Sequence, residues 1–273
     1  QHPANVFNDM NHFYWGSEMY SKRVLEHWLK EYRVDGFRFD LSKGFTEPGN
    51  TNWDNYNPNR VELWKKYADF IWNLNPDAYV ILEHFGSQQE ENELSNYGSN
   101  GMMFWVGASV NEHYNEATMG YHDNGKSNLF SVLPQAKNFD RRNLIGYFES
   151  HDEQWLMVRN RLYGNQNDGY NIKELEVSLD RMELAGAFFF LLEGPKLIWQ
   201  FGELGYGYGD NGEQCLLEDS VCSSSAPGRT DNKPIRWDYY NDDDLEIPTA
   251  AQIGEAIGFS YARVRKALFS LYE

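Results

Sequence analysis

The sequence has few positive charges. Its 273 residues carry 24 Lys and Arg against 41 Asp and Glu, a formal net charge of -17. Binding to phosphates or to anionic lipids depends on an excess of Lys and Arg. The charge balance therefore argues against a nucleic acid or an anionic membrane surface as the partner, and it is compatible with a neutral, polar substrate.

Long apolar runs and targeting signals are also lacking. No stretch approaches the roughly 20 apolar residues of a membrane-spanning helix, and no signal peptide is visible. Because the first residue is Gln1 rather than Met, secretion stays open. Cysteine is scarce: Cys215 and Cys222 are the only two, in a stretch rich in Gly, Ser and Asp. A small loop disulfide would suit an oxidising compartment, and two unpaired thiols are the equal alternative.

Aromatic residues, in contrast, are abundant at 16% of the chain. They either fill the core or line a groove in which sugar rings stack. The length fits one large domain better than two average ones.

The hydrophobic pattern alternates between helix and strand. Helical spacing is predicted over four segments, namely Glu18–Tyr32, Arg60–Asn73, Glu174–Leu192 and Ile253–Leu271. Apolar runs predict five strands, namely Val34–Leu41, Ala78–Leu82, Met102–Val106, Leu144–Phe148 and Lys196–Phe201. This alternation predicts βαβ units and a parallel sheet.

Four of the five predicted strands end at an acidic residue: Asp40, Glu83, Asp152 and Glu203. In a parallel barrel all strand carboxyl ends open on one face, which holds the active site. The alternative, that each acid merely caps a strand or begins a helix, weakens when four strands share the feature and is strongest for Glu203.

Converging carboxylates suit glycoside hydrolysis. Its cationic transition state needs nearby negative charge, one carboxylic acid to protonate the leaving oxygen and one carboxylate to attack or to activate water. Arg38 is two residues from Asp40, so the two side chains share a strand face and Arg38 would favour the ionised carboxylate.

Four motifs resemble the α-amylase family of glycoside hydrolases. GFRFDLSK (Gly36 to Lys43) is similar to the family's nucleophile strand, and VILEHF (Val80 to Phe85) to its acid/base strand. GYFESHD (Gly146 to Asp152) resembles the motif of the third carboxylate, and EGPKLIWQFGE (Glu193 to Glu203) the final barrel strand. The resemblance extends from about Asn5 to Trp237.

The resemblance implies an α/β fold, the (β/α)8 TIM barrel. The family's third-strand motif, which ends in Asn-His, is not found, since Asn11-His12 lies just before the helix that leads into the Asp40 strand. Residues 1–273 are therefore expected to form a partial catalytic domain covering roughly strands 4–8, without strands 1–3 and without the C-terminal β-sandwich. Such a fragment alone is expected to have little activity, because one wall of the substrate site is missing.

The resemblance also implies roles for individual residues. Asp40 would be the nucleophile, Glu83 the general acid and then the base, and Asp152 the residue that holds sugar hydroxyls in the transition state. The expected substrate-binding residues are Arg38, which would orient Asp40, His151 at the cleavage site, and Lys43 and His84 on the leaving-group side. For His84 a packed histidine on the barrel rim is the alternative.

The chemistry needs no cofactor, but a structural calcium ion stays open. Many family members place His where this sequence has Gly44 and use its carbonyl as a calcium ligand. Glycine offers the same carbonyl, although nothing else in the sequence supports the metal.

The sequence thus predicts a retaining hydrolase of α-1,4-glucosidic bonds in starch- or maltodextrin-type glucans. Retention would place the carboxyl groups of Asp40 and Glu83 roughly 5–5.5 Å apart. The alternatives are a transglycosylase, branching enzyme or α-glucosidase with the same residues, and a glucan-binding protein without catalysis. The family and the two cysteines favour a secreted, periplasmic or cell-surface location over the cytoplasm, and the oligomeric state is open.

Overall fold

The structure, a computed structural model, describes residues 10–50, 52–105 and 108–200, together with Gly202 and Gly205. The chain divides into two compact units. The first comprises residues 1–109, 130–146 and 193–195, and the second residues 110–129, 147–192 and 196–273. Several predicted features lie outside the described residues, namely the helix Ile253–Leu271, Glu203, Trp237, Cys215 and Cys222.

The first unit contains a parallel sheet of three strands with helices between them. In chain order its elements are α1 (Trp15–His27, continued as a π-helical turn over Trp28–Tyr32), β1 (Gly36–Phe39), α2 (Pro58–Leu74), β2 (Tyr79–Glu83), α3 (Gln88–Ser95) and β3 (Met103–Trp105). The strand order is β1-β2-β3, and every pairing is parallel. A parallel bridge between Phe104 and Leu144 continues this order along the chain.

The remaining elements are shorter, apart from two helices. They are α4 (Ala108–Met119), β4 (Gly146–Tyr147), α5 (Leu156–Tyr163), β5 (Gln166–Asn167), β6 (Tyr170–Asn171), α6 (Leu175–Leu191) and β7 (Lys196–Leu197). The strands β4 and β7 pair with each other, and β5 and β6 form an antiparallel hairpin. No helix in the described part of the chain is long and apolar enough to cross a membrane.

Helix α2 shows why the sequence folds locally as it does. The Asn57 side chain caps its first turn by accepting the N–H groups of Asn59 and Arg60, and Pro58 occupies the first helical position. The apolar residues Val61, Trp64, Ala68 and Ile71 recur at helical spacing and are almost completely buried. The helix therefore packs one face into the core of the first unit.

The predicted helices and strands are confirmed where the structure describes them, but several strands are shorter than predicted. The strand predicted over Val34–Leu41 is Gly36–Phe39, and that predicted over Leu144–Phe148 is Gly146–Tyr147. The last strand, predicted over Lys196–Phe201, is only Lys196–Leu197. Helix α3 was not predicted, because its sequence QQEENELS lacks an apolar stripe. Its buried side chains include the carboxylates Glu90 and Glu91. An ionic rather than an apolar face packs into the protein, and hydrophobic periodicity does not detect such a face.

Candidate active site

The first two strands bring a pair of acidic side chains to the same edge of the sheet. Asp40 directly follows β1, Glu83 ends β2, and Phe39 pairs with Leu82 in the register of the two strands. Because parallel neighbours end on the same side, both carboxylates leave the sheet at one edge. The adjacency expected from the sequence for these two residues is present.

Arg38 bridges the two carboxylates. Its Nη1 donates to Asp40 Oδ1, and its Nη2 lies 2.8 Å from Glu83 Oε1. The second contact is an ion pair whose angles fall outside those of a hydrogen bond. The guanidinium also lies over the ring of Trp105, 5.0 Å from its centroid. The sequence predicted a contact of Arg38 with Asp40 alone, whereas in the structure Arg38 contacts both acids.

The two acids differ in their access to solvent. The Asp40 side chain is 76% exposed, whereas that of Glu83 is 11% exposed. Glu83 Oε2 accepts the backbone N–H of Leu41 at 2.8 Å. Asp40 is therefore open to solvent, and Glu83 is shielded and contacted at both oxygens.

Both strand ends are followed by backbone in the left-handed region. Leu41 has φ 44° and ψ 45°, and Phe85 has φ 52°. Non-glycine residues rarely adopt positive φ, and such strained positions cluster at functional sites. At Leu41 this conformation accompanies the N–H bond to Glu83, so the turn after β1 contributes directly to the geometry of the acids.

The two residues expected on the leaving-group side lie in different surroundings. Lys43 Nζ donates to Asp54 Oδ1 at 2.6 Å and lies 4.3 Å from the ring centroid of Trp53. His84 is completely buried, and its ring nitrogens contact Ser42 Oγ and Glu90 Oε1, each at 2.9 Å. This is the geometry of the packed histidine considered above, so sugar binding by His84 stays a prediction without support from its surroundings.

A buried ion pair, Arg60 of α2 with Glu90 of α3, lies behind these residues. Arg60 Nε is 2.6 Å from Glu90 Oε1, and both side chains are 0% exposed. Burial alone raises the pKa of Glu90, but hydrogen bonds from Arg60 and His84 outweigh that effect and lower it to about 2. Sequence reasoning missed this pair, because neither residue stands at a strand end or in a motif. The one available signal was a charged residue on the otherwise apolar face of a helix.

The other expected site residues belong to the second unit. His151 Nε2 lies 3.4 Å from Asp152 Oδ2, and both side chains are nearly half exposed. The Asp152 N–H donates to Ser150 Oγ at 3.1 Å. Nearby, the buried Glu149 accepts the Leu156 N–H at 2.7 Å, which holds the start of α5. Convergence of Asp152 with Asp40 and Glu83 stays a prediction.

A structural calcium ion with the Gly44 carbonyl as a ligand stays a prediction. The Gly44 carbonyl, the expected ligand, accepts the Thr46 N–H at 2.7 Å. Across the residues that the structure covers, no three His, Cys, Asp or Glu side chains come together as metal ligands. No chemical step considered below involves a metal ion.

Parallel strands whose carboxyl ends carry acidic residues define an α/β protein with its active site at that edge. The family described as "Alpha amylase, catalytic domain" matches residues 8–250. The chain belongs to the α-amylase family of glycoside hydrolases, which confirms the assignment to a glycosidase family made from the four motifs. The catalytic domain of this family is a (β/α)8 barrel.

Solved structures of similar fold lead to the same architecture. Pullulanase from Anoxybacillus sp. LM18-11, complexed with maltotriose, has a TM-score of 0.55 and 16% identity, over 76% of this chain and 29% of that one. Amy13B of Eubacterium rectale has a TM-score of 0.52 and 16% identity, over 76% of this chain and 37% of that one. The chain thus spans about a third of the length of these structures. No curated protein matches the sequence.

Proposed function

We propose that this chain carries the active site of a retaining glycoside hydrolase that cleaves α-1,4-glucosidic bonds in starch- or maltodextrin-type glucans. The proposal rests on one observation: Arg38 forms ion pairs with both Asp40 and Glu83 at the ends of neighbouring parallel strands. We further propose that β1 to β4 and β7 correspond to strands 4–8 of the barrel, and that the protein is exported.

The geometry suits a division of labour between the two acids. Asp40 is exposed and would attack the anomeric carbon, so that a covalent glycosyl-enzyme forms as the glycosidic C–O bond breaks. Glu83 is shielded, and its proton would pass to the leaving oxygen. In the second half-reaction Glu83 would take a proton from water, whose oxygen attacks the anomeric carbon and releases Asp40.

The other residues would bind the sugar. Asp152 would accept hydrogen bonds from sugar hydroxyls, with His151 beside it at the cleavage site, and Lys43 would contact the leaving-side sugar. The similar pullulanase was solved with maltotriose and with maltotetraose. At 16–17% identity this likeness shows the fold alone, so the substrate class rests on the family and its motifs.

Product analysis on maltoheptaose tests the proposal in the full-length protein. Short oligosaccharides whose new reducing ends are first released as the α-anomer, detected by NMR, are the expected result. A ladder of products longer than the substrate would instead indicate a transglycosylase or branching enzyme. Release of the β-anomer would overturn retention. Glucan binding without any turnover, unchanged by Asp40→Asn, would indicate a binding protein.

A second experiment separates the roles of the acids. An activated aryl maltoside has a leaving group that needs no protonation, so Glu83→Gln should still form the glycosyl-enzyme from it while losing activity on maltoheptaose. Asp40→Asn should lose both activities, because no carboxylate remains to attack. Equal losses on both substrates in Glu83→Gln would contradict the assignment of Glu83 as the acid.

A further inference from the structure

We propose that Arg60 and Glu90 are positioning residues of this active site. Their buried pair anchors the β1–α2 loop (described over residues 43–50 and 52–57) at the carboxyl ends of β1 and β2 and thereby fixes Lys43 and Trp53 for glucan binding. The inference rests on the proposed function for its ligand. Neither residue belongs to the four sequence motifs.

Arg60 uses all five of its N–H donors. Nε and Nη2 donate to the two oxygens of Glu90 at 2.6 and 2.8 Å. Nη1 donates to the carbonyls of Lys43 and Trp53, the latter at 2.8 Å, and Nη2 also donates to the carbonyl of Asn55 at 3.0 Å. A single rigid guanidinium therefore holds three carbonyls of one loop.

Glu90 extends the same network to the second strand. Its Oε2 accepts the Asn57 N–H at 3.1 Å, and its Oε1 contacts His84 Nε2 at 2.9 Å. On the other side of the ring, Ser42 Oγ lies 2.9 Å from His84 Nδ1 and donates to the carbonyl of Glu83, also at 2.9 Å. The loop after β1 is thus tied to the backbone of the proposed acid.

The main effect of the Arg60–Glu90 ion pair is to select one conformation of the loop, rather than to add stability. Burial lowers the pKa of His84, and the fully buried ion pair at the centre of the network is that of Arg60 with Glu90. A buried ion pair is often no more stabilising than apolar residues of similar volume. What an apolar pair lacks is the set of fixed donors that selects one loop conformation.

The anchored loop carries a surface suited to a sugar ring. Trp53 is half-buried, and Lys43 Nζ lies over its ring while donating to Asp54. Aromatic faces with adjacent polar groups combine apolar contact with directional hydrogen bonds. A loop released from Arg60 would have to be ordered when the glucan binds, which weakens affinity.

The test compares the double variant Arg60→Met/Glu90→Met with the parent protein, both in an Asp40→Asn background that prevents turnover. The double variant should keep its circular dichroism spectrum and its unfolding midpoint. Amide exchange of residues 43–57 should accelerate, and the Kd for maltoheptaose should rise about tenfold, the size expected for losing charged hydrogen bonds that order a loop.

Tyr97→Phe is the matched control. It removes another hydrogen bond to α2, that from Tyr97 to Asp69 at 2.9 Å, which does not involve the loop. Loop exchange and affinity should stay unchanged. If the double variant does not fold, Arg60→Lys provides a second test. It keeps the positive charge but loses the forked set of N–H donors, so loop exchange should be faster and binding weaker.

Parent-like loop exchange and affinity in the folded double variant, or in Arg60→Lys, would overturn the proposal, because the pair would then be structural only. If the parent protein itself binds no maltoheptaose, the proposed function fails. The exchange of residues 43–57 still decides whether Arg60 and Glu90 position the loop.

Discussion

Two arginine–carboxylate clusters lie at the carboxyl ends of β1 and β2, in opposite environments. In the outer cluster, Arg38 is 23% exposed and contacts Asp40, which is 76% exposed, and Glu83. In the inner cluster, Arg60 and Glu90 are 0% exposed. Charges in contact with water can rearrange around a ligand, whereas buried charges are costly to separate. In the proposed function, similar side chains would thus serve chemistry in one place and loop order in the other.

Two neighbouring buried carboxylates of α3 differ in how closely a cation approaches them. Glu90 is paired with Arg60, and its pKa is lowered to about 2. Its neighbour Glu91 is equally buried, but its nearest cation, Lys137 Nζ, is 3.7 Å away. Burial therefore raises the pKa of Glu91 to about 7. The partner, rather than the degree of burial, decides whether a buried carboxylate stays charged.

The largest expected effects test the outer cluster. Asp40→Asn and Glu83→Gln should each lower turnover of maltoheptaose by roughly 10²–10⁴-fold, the usual contribution of such groups. Stability should change little in Asp40→Asn, because the side chain is mostly exposed. Initial rates and urea unfolding of the same preparations provide the check. If Asp40→Asn instead lost much stability but kept its turnover, the outer cluster would be structural rather than catalytic.

The next effect tests the inner cluster. Arg60→Met should lower the free energy of unfolding by about 3–5 kcal/mol, because it leaves Glu90 charged and buried without its partner. Adding Glu90→Met should restore most of the loss. Urea unfolding of the two single variants and the double variant gives the coupling energy. A double variant as unstable as Arg60→Met would show that the lost stability does not come from the unpaired charge.

The contributions of Glu90 and Glu91 to the stability of the fold should depend on pH in opposite directions. The folded-state pKa of Glu91 is raised to about 7 from 4.5, so its contribution to stability is present below pH 4.5 and is lost as the pH rises to about 7. That of Glu90 is lowered to about 2, so its contribution is present above pH 4.5 and is lost as the pH falls towards 2.

Glu91→Gln isolates the first of these responses. The amide is neutral at all pH values, so the variant should be more stable than the parent by about 2–3 kcal/mol at pH 8 and similar to it at pH 4. Urea unfolding between pH 4 and pH 8 measures the difference. A difference that does not depend on pH would show that Glu91 is ionised at neutral pH in the folded protein.

The smallest expected effect concerns a third kind of ion pair. Lys30 and Glu26 form an i,i+4 contact with side chains 58% and 41% exposed. Glu26→Gln should change the free energy of unfolding by no more than about 0.5 kcal/mol, because water screens the pair. A loss of unfolding free energy as large as that in Arg60→Met would mean that solvent exposure does not determine how much an ion pair stabilises this protein.

The sequence was sufficient to predict the features that depend on hydrophobic periodicity and on residues at strand ends. The strands β1 and β2 and the adjacency of Asp40 and Glu83 follow from apolar runs that stop at a charge, and the helix α2 between them follows from the helical spacing of its apolar residues. The contact of Arg38 with Glu83 did not follow, because it depends on the register of two strands in which Arg38 pairs with Ile81. The full convergence with Asp152 stays a prediction.

The inner cluster shows what sequence reasoning could not reach. In the sequence, Arg60 is a charged residue that interrupts the apolar stripe of α2, and Glu90 is one of several acidic residues in the polar helix α3. Only the folded chain brings them together, because their contact depends on how α2 and α3 pack. The same applies to His84, whose position next to a catalytic motif suggested a ligand contact while its ring faces Ser42 and Glu90.

The anchoring by Arg60 also divides the β1–α2 loop into parts that differ in their tolerance of length changes. The guanidinium holds the loop at Lys43, Trp53 and Asn55, whereas Gly49 stands in open space with φ +81°. Residues inserted beside Gly49 would lengthen the loop between the two carbonyls, of Lys43 and Trp53, that Arg60 holds. We therefore expect insertions at this position to be tolerated better than insertions between Trp53 and Asn55, because the latter would separate two carbonyls that one guanidinium holds.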